Sequence, residues 1–155
     1  MLQELFLSKF EYLPDGRLKN KQTGKIAGGL TDEGYIRIRI NHVEYRAHRI
    51  IWTMFNGEIP EGLLIDHING IKSDNRLENL RLATRQQNNA NRRAKIGSKL
   101  PKGVTITPAG RYRAKLHHGG TWYCLGTYDT PEQAEQAYLQ KSLEIHKEFS
   151  IANRK

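Results

Sequence analysis

Residues Leu63 to Asn89 read LLIDHINGIKSDNRLENLRLATRQQNN. Two short apolar runs, 63–68 and 77–83, have the length of strands and are joined by a polar loop. Asn69, Asp74 and Asn75 in that loop suit tight turns and are read as loop-formers rather than ligands. A helix is predicted over 84–95, because Thr84 is a good N-cap and Gln87 completes a capping-box pattern three residues on. Within this order Asp66 can hold a metal and the adjacent His67 can take a proton from water. Neighbours on a strand face opposite ways, so the two share one site only where the strand ends or twists. Ile68-Asn69-Gly70 offers such an end.

Upstream, residues 10–45 read as short β elements punctuated by Pro14-Asp15-Gly16, Gly28-Gly29 and Glu33-Gly34. Residues 35–40 alternate apolar and basic, the period of a half-exposed strand, with Arg37 and Arg39 on its open face as nucleic-acid contacts. Asn41-His42 turns that strand into a second one, Val43 to Arg46. Residues 47–56 carry Ile50, Ile51, Met54 and Phe55 at helical spacing, and Gly57 ends the helix. His48 is read as capping or packing that helix, with approach to the Asp66–His67 site as the alternative.

Downstream, the segment from Arg85 to Lys102 holds six Lys/Arg and no acid. Gly97, Ser98 and Pro101 interrupt it, and a basic linker is expected at 96–101. Three strands follow near 103–107, 111–117 and 121–126. Thr130-Pro131 then opens a helix with an N-cap and an N1 proline, with Ala134, Ala137, Tyr138 and Leu143 at helical spacing. On strand 111–117 the residues Arg111, Arg113, Lys115 and His117 share one face, and Tyr112, Ala114 and Leu116 the other. Trp122 and Cys124 join the basic face from the next strand. A sheet face of fixed positive charges with an exposed Trp is suited to a DNA groove.

Composition narrows the partners. The chain has 155 residues and a formal net charge of +9, with 37% hydrophobic residues. Small cores and a polyanionic partner are expected, nucleic acid ahead of an anionic membrane surface. A single cysteine excludes an internal disulfide and a Cys-based zinc site. No apolar run approaches the roughly 18 residues of a membrane-spanning helix. The N-terminal MLQELFLSKFEYLPDG is too acidic and too broken for a signal peptide. A cytoplasmic protein with no membrane partner is expected.

Divalent-metal chemistry on a phosphate needs few protein ligands, because substrate oxygens and waters complete the shell. Asp66 and Asn88 are the natural oxygen pair, and His67 has the pKa range of a general base. With the lead-in YRAHRIIWTMFNGEIPEG (45–62), the run resembles the HNH nuclease motif of phage and intron-encoded homing endonucleases, over about residues 10–93. The resemblance implies Asp66 as metal ligand, His67 as general base and Asn79 as the residue bracing the His-bearing loop. Asn88 stands where His is the commoner ligand, which favours Mg²⁺ or Mn²⁺ over zinc; Asn89 and Asn91 are alternatives there. It also implies 5′-phosphate and 3′-hydroxyl products.

Residues 102–153 resemble the plant AP-two/ERF DNA-binding domain. The matching residues are Lys102-Gly103-Val104, Arg113-Ala114, Leu125-Gly126-Thr127-Tyr128, Pro131-Glu132-Gln133-Ala134 and Ala137-Tyr138. Thr105 replaces an Arg of the plant forms, so base preference does not transfer. Arg85, Arg92, Arg93, Lys95, Lys99 and Lys102 are expected to track phosphates.

The reading is an α+β chain: a small ββα-metal HNH unit preceded by short β-hairpins, joined to a three-stranded antiparallel sheet packed on one helix. The expected domains are 1–95 (core motif 63–93), a linker at 96–101, and 102–155. The expected function is a monomeric, Mg²⁺- or Mn²⁺-dependent, site-preferring nickase of double-stranded DNA, encoded by a phage or mobile element in a bacterial host. The alternative is a catalytically inactive DNA-binding regulator.

Overall fold

A computed structural model describes residues 1–92, 94 and 97–153. The chain divides into two compact units, Met1–Arg85 and Gln86–Lys155, and its elements make an α+β fold.

The first unit opens with a helix that the sequence reading did not anticipate, α1 (Leu2–Lys9), which buries Phe6. A hairpin follows, β1 (Phe10–Tyr12) against β2 (Leu18–Asn20), in register Phe10↔Asn20. Next comes a three-stranded antiparallel sheet in the order β3 (Gly29–Leu30), β4 (Ile36–Ile40), β5 (Val43–Arg46). Asn41 and His42 have φ of 47° and 67°, the two positive values that a tight two-residue hairpin turn requires. As the alternation predicts, Ile38 and Ile40 are buried while Arg37 and Arg39 are exposed.

Helix α2 (Ala47–Asn56) matches its predicted span and is stopped by Gly57 at φ 78°. Its Ala47, Ile50, Ile51 and Met54 form the centre of a core with Phe6, Phe10, Leu18, Ile38, Ile40, Ile65 and Leu80. Burying each large aliphatic side chain contributes roughly 1.5–3 kcal/mol, which holds α2 firmly on the sheet. Phe55, predicted for the same face, is half exposed and meets Tyr12 edge-on at 5.0 Å instead.

The diagnostic stretch forms β6 (Leu64–His67) and β7 (Leu80–Ala83), paired antiparallel with Asp66 opposite Arg81 and His67 opposite Leu80. The expected strand over 77–83 is shorter than predicted. Leu77–Asn79 is a 3-10 turn, closed by Asn79 N–H donating to the Arg76 carbonyl at 2.9 Å. The expected helix over 84–95 appears as α3 (Arg85–Asn91).

The second unit contains a three-stranded antiparallel sheet in the order β10 (Thr121–Tyr128), β9 (Tyr112–His118), β8 (Val104–Ile106). Helix α4 (Pro131–His146) begins where Thr130 accepts a hydrogen bond from the Gln133 N–H. Val104, Ala114 and Ala134 form its small core, with Leu100, Tyr112, Leu125, Tyr128 and Ala137 around them. Ala134, Tyr138 and Ser142 are the inward positions of α4. That spacing of four turns Leu143 outward, to 46% exposure, against the sequence expectation. The division between units precedes the expected linker at 96–101. Lys102 Nζ donates to the carbonyls of Asn89 and Ala90 at 2.7 and 2.9 Å, tying the end of α3 into the second unit.

Gly103 (φ 77°) lies so close to Tyr138 that an added Cβ would sit 2.1 Å from the ring and 2.8 Å from the Lys115 carbonyl. Gly103→Ala is therefore expected to destabilise the second unit by about 3 kcal/mol, from the left-handed backbone plus overpacking. A urea titration followed by the tyrosine and tryptophan fluorescence of that unit measures it; a midpoint unchanged from wild type would contradict the close approach.

Candidate active site and nucleic-acid surface

β6 ends at His67. The Gly70 N–H donates to the His67 carbonyl at 2.8 Å, and Ile68 N–H donates to the Asn79 carbonyl at 2.9 Å. Asp66 and His67 are each only 5% exposed. Each meets a different polar partner.

The Asp66 carboxylate meets the residue across the hairpin. Arg81 Nε lies 3.0 Å and its terminal nitrogen 2.9 Å from Asp66 Oδ2. Both side chains are largely buried, at 16% and 6% exposure, where such a pair is held more strongly than on the surface. The sequence reading did not single out Arg81. The signal was there: pairing 64–67 with 80–83 puts opposite charges directly across the ladder.

His67 Nε2 donates to Asn75 Oδ1 at 3.0 Å, so in the neutral ring Nδ1 carries the lone pair. Burial lowers the His67 pKa below the ordinary histidine value, opposed by the Asn75 hydrogen bond and by Asp66. The imidazole is thus neutral at neutral pH. Asn75, read from sequence as a loop-former, is 1% exposed and is the polar partner of the candidate base.

Asn79 ties Asn69 to Asp74 in the loop that follows His67. Its Oδ1 accepts from Asn69 N–H at 3.0 Å, and its Nδ2 donates to Asn69 Oδ1 at 3.0 Å and to the Asp74 carbonyl at 2.8 Å. Asp74 in turn accepts from Asn69 Nδ2 and takes a two-pronged Arg76 contact at 2.8 and 2.7 Å. The Arg76 hydrogen bonds hold the Asp74 pKa at about 2.

His48, placed by α2, also lies here. Its ring is 4.9 Å from that of His67 at an interplanar angle of 81°. The Tyr35 ring is 5.4 Å from His48 and 6.2 Å from His67. Arg46 and Lys72 lie over the Tyr35 ring at 4.1 and 4.7 Å. Burial lowers the His48 pKa to about 3, helped by the nearby His67, Arg46 and Arg49. Unfolded His48 takes up a proton near pH 6.5, whereas folded His48 does not until about pH 3. The unfolded state therefore binds more protons between those values, and stability falls as pH falls through the window. The His48 contribution lost by pH 4 is about 3 kcal/mol. Urea denaturation at pH 7 and pH 4 checks this, with His48→Phe expected to lose correspondingly less over that interval; equal losses in both proteins would contradict it.

Among the described residues no group of three or more His, Cys, Asp and Glu gathers to hold a metal ion. A zinc cage is therefore not built from them. A buried carboxylate such as Asp66 suits a hard ion that takes one or two protein oxygens and completes its shell with water and phosphate. In the second unit, Asn88 on α3 is half-buried, Asn89 exposed and Asn91 buried.

The basic candidates fall into distinct settings. Arg37 pairs with Glu44 at 3.1 Å, while Arg39 is exposed. Arg85 and Arg92 are exposed at and just beyond the ends of α3, and Lys99 is also exposed. Arg93 and Lys95 lie outside the described residues. Lys102 is bonded to the α3 carbonyls, and Arg111 pairs with Asp129 at 2.9 Å. On the open face of the second sheet, Arg113 is exposed opposite Thr127 and Thr105, and Lys115 stands opposite Cys124. Lys115 Nζ lies 5.0 Å over the Trp122 ring, which stacks beside His117 at 4.8 Å and is 60% exposed. Ala114 and Leu116 face the other way and are buried. Cys124 is exposed on this open face. No described helix is long and apolar enough to cross a membrane.

Comparison with known proteins adds the family. Residues 45–90 match the HNH endonuclease family. The chain is 37% identical over 108 residues to Uncharacterized HNH endonuclease L560 of Acanthamoeba polyphaga mimivirus, covering 69% of this chain and 56% of that protein. It is 46% identical over 46 residues to Protein 3.8 of Escherichia phage T7, covering 30% of this chain and 38% of that one. The chain thus spans about half or less of the length of these relatives. The solved structure of DNA binding and cleavage by the HNH homing endonuclease I-HmuI is similar at a TM-score of 0.44 and 19% identity, over 89% of this chain and 85% of that one. The chain carries an HNH-family nuclease domain, with residues 45–90 as its matched part.

Proposed function

We propose that this protein is a metal-dependent endonuclease that nicks double-stranded DNA at preferred sites, acting as a monomer. The observation that carries the reading is the end of β6: a buried imidazole, held through Nε2 by Asn75, directly follows a buried carboxylate. Asp66 would hold Mg²⁺ or Mn²⁺, with Asn88 proposed as an amide donor from its place in the motif. When bound, the ion stabilises charge on the pentavalent phosphorus and on the leaving 3′ oxygen. His67 Nδ1 takes a proton from water as the water oxygen bonds to phosphorus in line. The phosphorus–O3′ bond breaks, leaving a 5′-phosphate, and the 3′ oxygen becomes a hydroxyl with a proton from solvent. Asn79 keeps the loop from Asn69 to Asp74 in the shape that presents Asn75 to His67.

The second unit is proposed as the DNA-reading part, of AP-two/ERF-like type. Arg113, Lys115 and Trp122 offer charge and a stacking surface on one exposed sheet face. Arg39, Arg85, Arg92, Arg93 and Lys95 supply phosphate contacts. Arg37, Lys102 and Arg111 join them by exchanging their present partners for phosphate. Arg113→Ala combined with Trp122→Ala is expected to weaken duplex binding at least tenfold and flatten its salt dependence. Gel shifts at several salt concentrations check this; unchanged affinity would remove the second unit from the reading.

One observation favours the alternative, an inactive DNA-binding regulator: Arg81 already gives the Asp66 carboxylate a cationic partner. Analysis of nick termini separates the two. Ends bearing 5′-phosphate and 3′-hydroxyl, formed only with added Mg²⁺ or Mn²⁺, support the nuclease. Duplex binding without cleavage supports the regulator.

A further inference from the structure

The His67 ring has contacts on two sides that differ in kind. Asn75 Oδ1 holds Nε2 in the ring plane at 3.0 Å. A turn of the imidazole about its Cβ–Cγ bond would change the direction of Nδ1. The ring of His48 meets His67 nearly at right angles, at 4.9 Å between centroids. His48 is 5% exposed, on a helix whose Ala47, Ile50 and Ile51 are fixed in the core. Tyr35, under the Arg46 guanidinium and the Lys72 ammonium, supports the His48 ring at 5.4 Å. This arrangement gives His67 a stiff flat neighbour that a rotation would strike.

His48 is a poor choice for stability alone. Its Nδ1 is buried and has no hydrogen-bond partner among the described residues, a cost that an apolar ring of similar size would avoid. Nothing in the proposed reaction uses that nitrogen. What the side chain supplies is the position of its ring.

We infer that His48 is a positioning residue for the candidate base: its ring fixes the plane of the His67 imidazole and so the aim of Nδ1 at the attacking water. This rests on the reading of His67 as general base, and it deepens that reading by assigning the orienting group.

The test compares wild type, His48→Phe and His48→Leu in single-strand nicking with Mg²⁺, together with thermal melts and the NMR ring-proton shifts of His67. Phe keeps a flat ring without nitrogens, and Leu keeps apolar volume without a flat ring. His48→Phe is expected to melt at or above the wild-type temperature and to retain kcat within threefold, with the His67 ring-current shift preserved. His48→Leu is expected to lose tenfold or more in kcat with KM within twofold, and to lose that shift. A folded Leu variant with wild-type kcat and an unmoved His67 overturns the inference. So does a folded Phe variant that loses tenfold, because a nitrogen contact would then be required; this arm stands even if Leu fails to fold. If wild type itself cuts nothing, the nuclease reading fails, and the His67 shifts still decide whether His48 fixes the ring.

Discussion

His67→Ala is expected to lower the turnover of DNA cleavage by about 10²–10⁴-fold, the usual contribution of a positioned general base. Duplex binding should stay within twofold of wild type, since no proposed phosphate contact is removed. The size of the effect follows from what surrounds the ring. Asn75 accepts from Nε2, burial keeps the imidazole neutral, and the strand ends at the residue itself. A water left without this base must lose its proton to solvent or to a far weaker acceptor. Single-turnover nicking of a labelled duplex, beside a gel shift with the same protein, measures both quantities. A loss of less than tenfold in a folded His67→Ala protein would assign the proton to another group.

Gly16→Ala is expected to damage the same site from outside it. Gly16 has φ 81°, and a Cβ added there would lie 2.4 Å from the Arg76 nitrogen and 2.6 Å from the Asn75 carbonyl carbon. Both are backbone atoms, so no side chain can swing aside to make room. The left-handed conformation costs an alanine about 1–2 kcal/mol and the overpacking about 1–3 kcal/mol more. For a unit of this size the two together are a fall of roughly 10–40 °C in melting temperature. The displaced segment carries Asn75, so cleavage assayed below the lowered melting temperature should also fall, by about tenfold. A melting temperature within 3 °C of wild type would contradict the close approach of the Pro14–Gly16 turn to the Asn75–Arg76 backbone.

These two residues show where the sequence was legible and where it was not. The period-two alternation of 36–40, the helical spacing of 47–56 and the strand-then-helix order of the second unit were readable. Each depends on neighbours within one element, and burial follows that period: Ile38 and Ile40 inside, Arg37 and Arg39 outside. The same local logic located β10, with Trp122 on its open face. Helix α1 was missed because it is only eight residues long and Phe6 is its one buried residue. Its stability comes from docking, with Phe6 edge-on to Tyr45 at 5.3 Å. Leu143 was misplaced by one position because Ser142, a polar residue, takes the inward place and bonds Ser150 Oγ at 2.9 Å. Polarity patterns cannot rank such a serine above a leucine.

The candidate site divides in the same way. Asp66 and His67 stand out as residue types at adjacent positions in an unusual stretch. Their partners do not. Arg81 reaches Asp66 only through strand register, and Asn75 reaches His67 only through a loop shape set by Asn79. His48 and Tyr35 arrive from elements that precede the motif. Long-range packing supplies the His48 and Tyr35 contacts, whereas the Arg81 contact follows once 64–67 is paired with 80–83.

The most direct measurement of the central claim is the fate of supercoiled plasmid DNA incubated with the whole chain, with Mg²⁺ or with EDTA, beside Asp66→Ala. Open circles are expected to accumulate only in the wild-type protein with Mg²⁺. DNA that is retarded on gels yet stays supercoiled with Mg²⁺ and with Mn²⁺, or that is nicked equally well by Asp66→Ala, would contradict it.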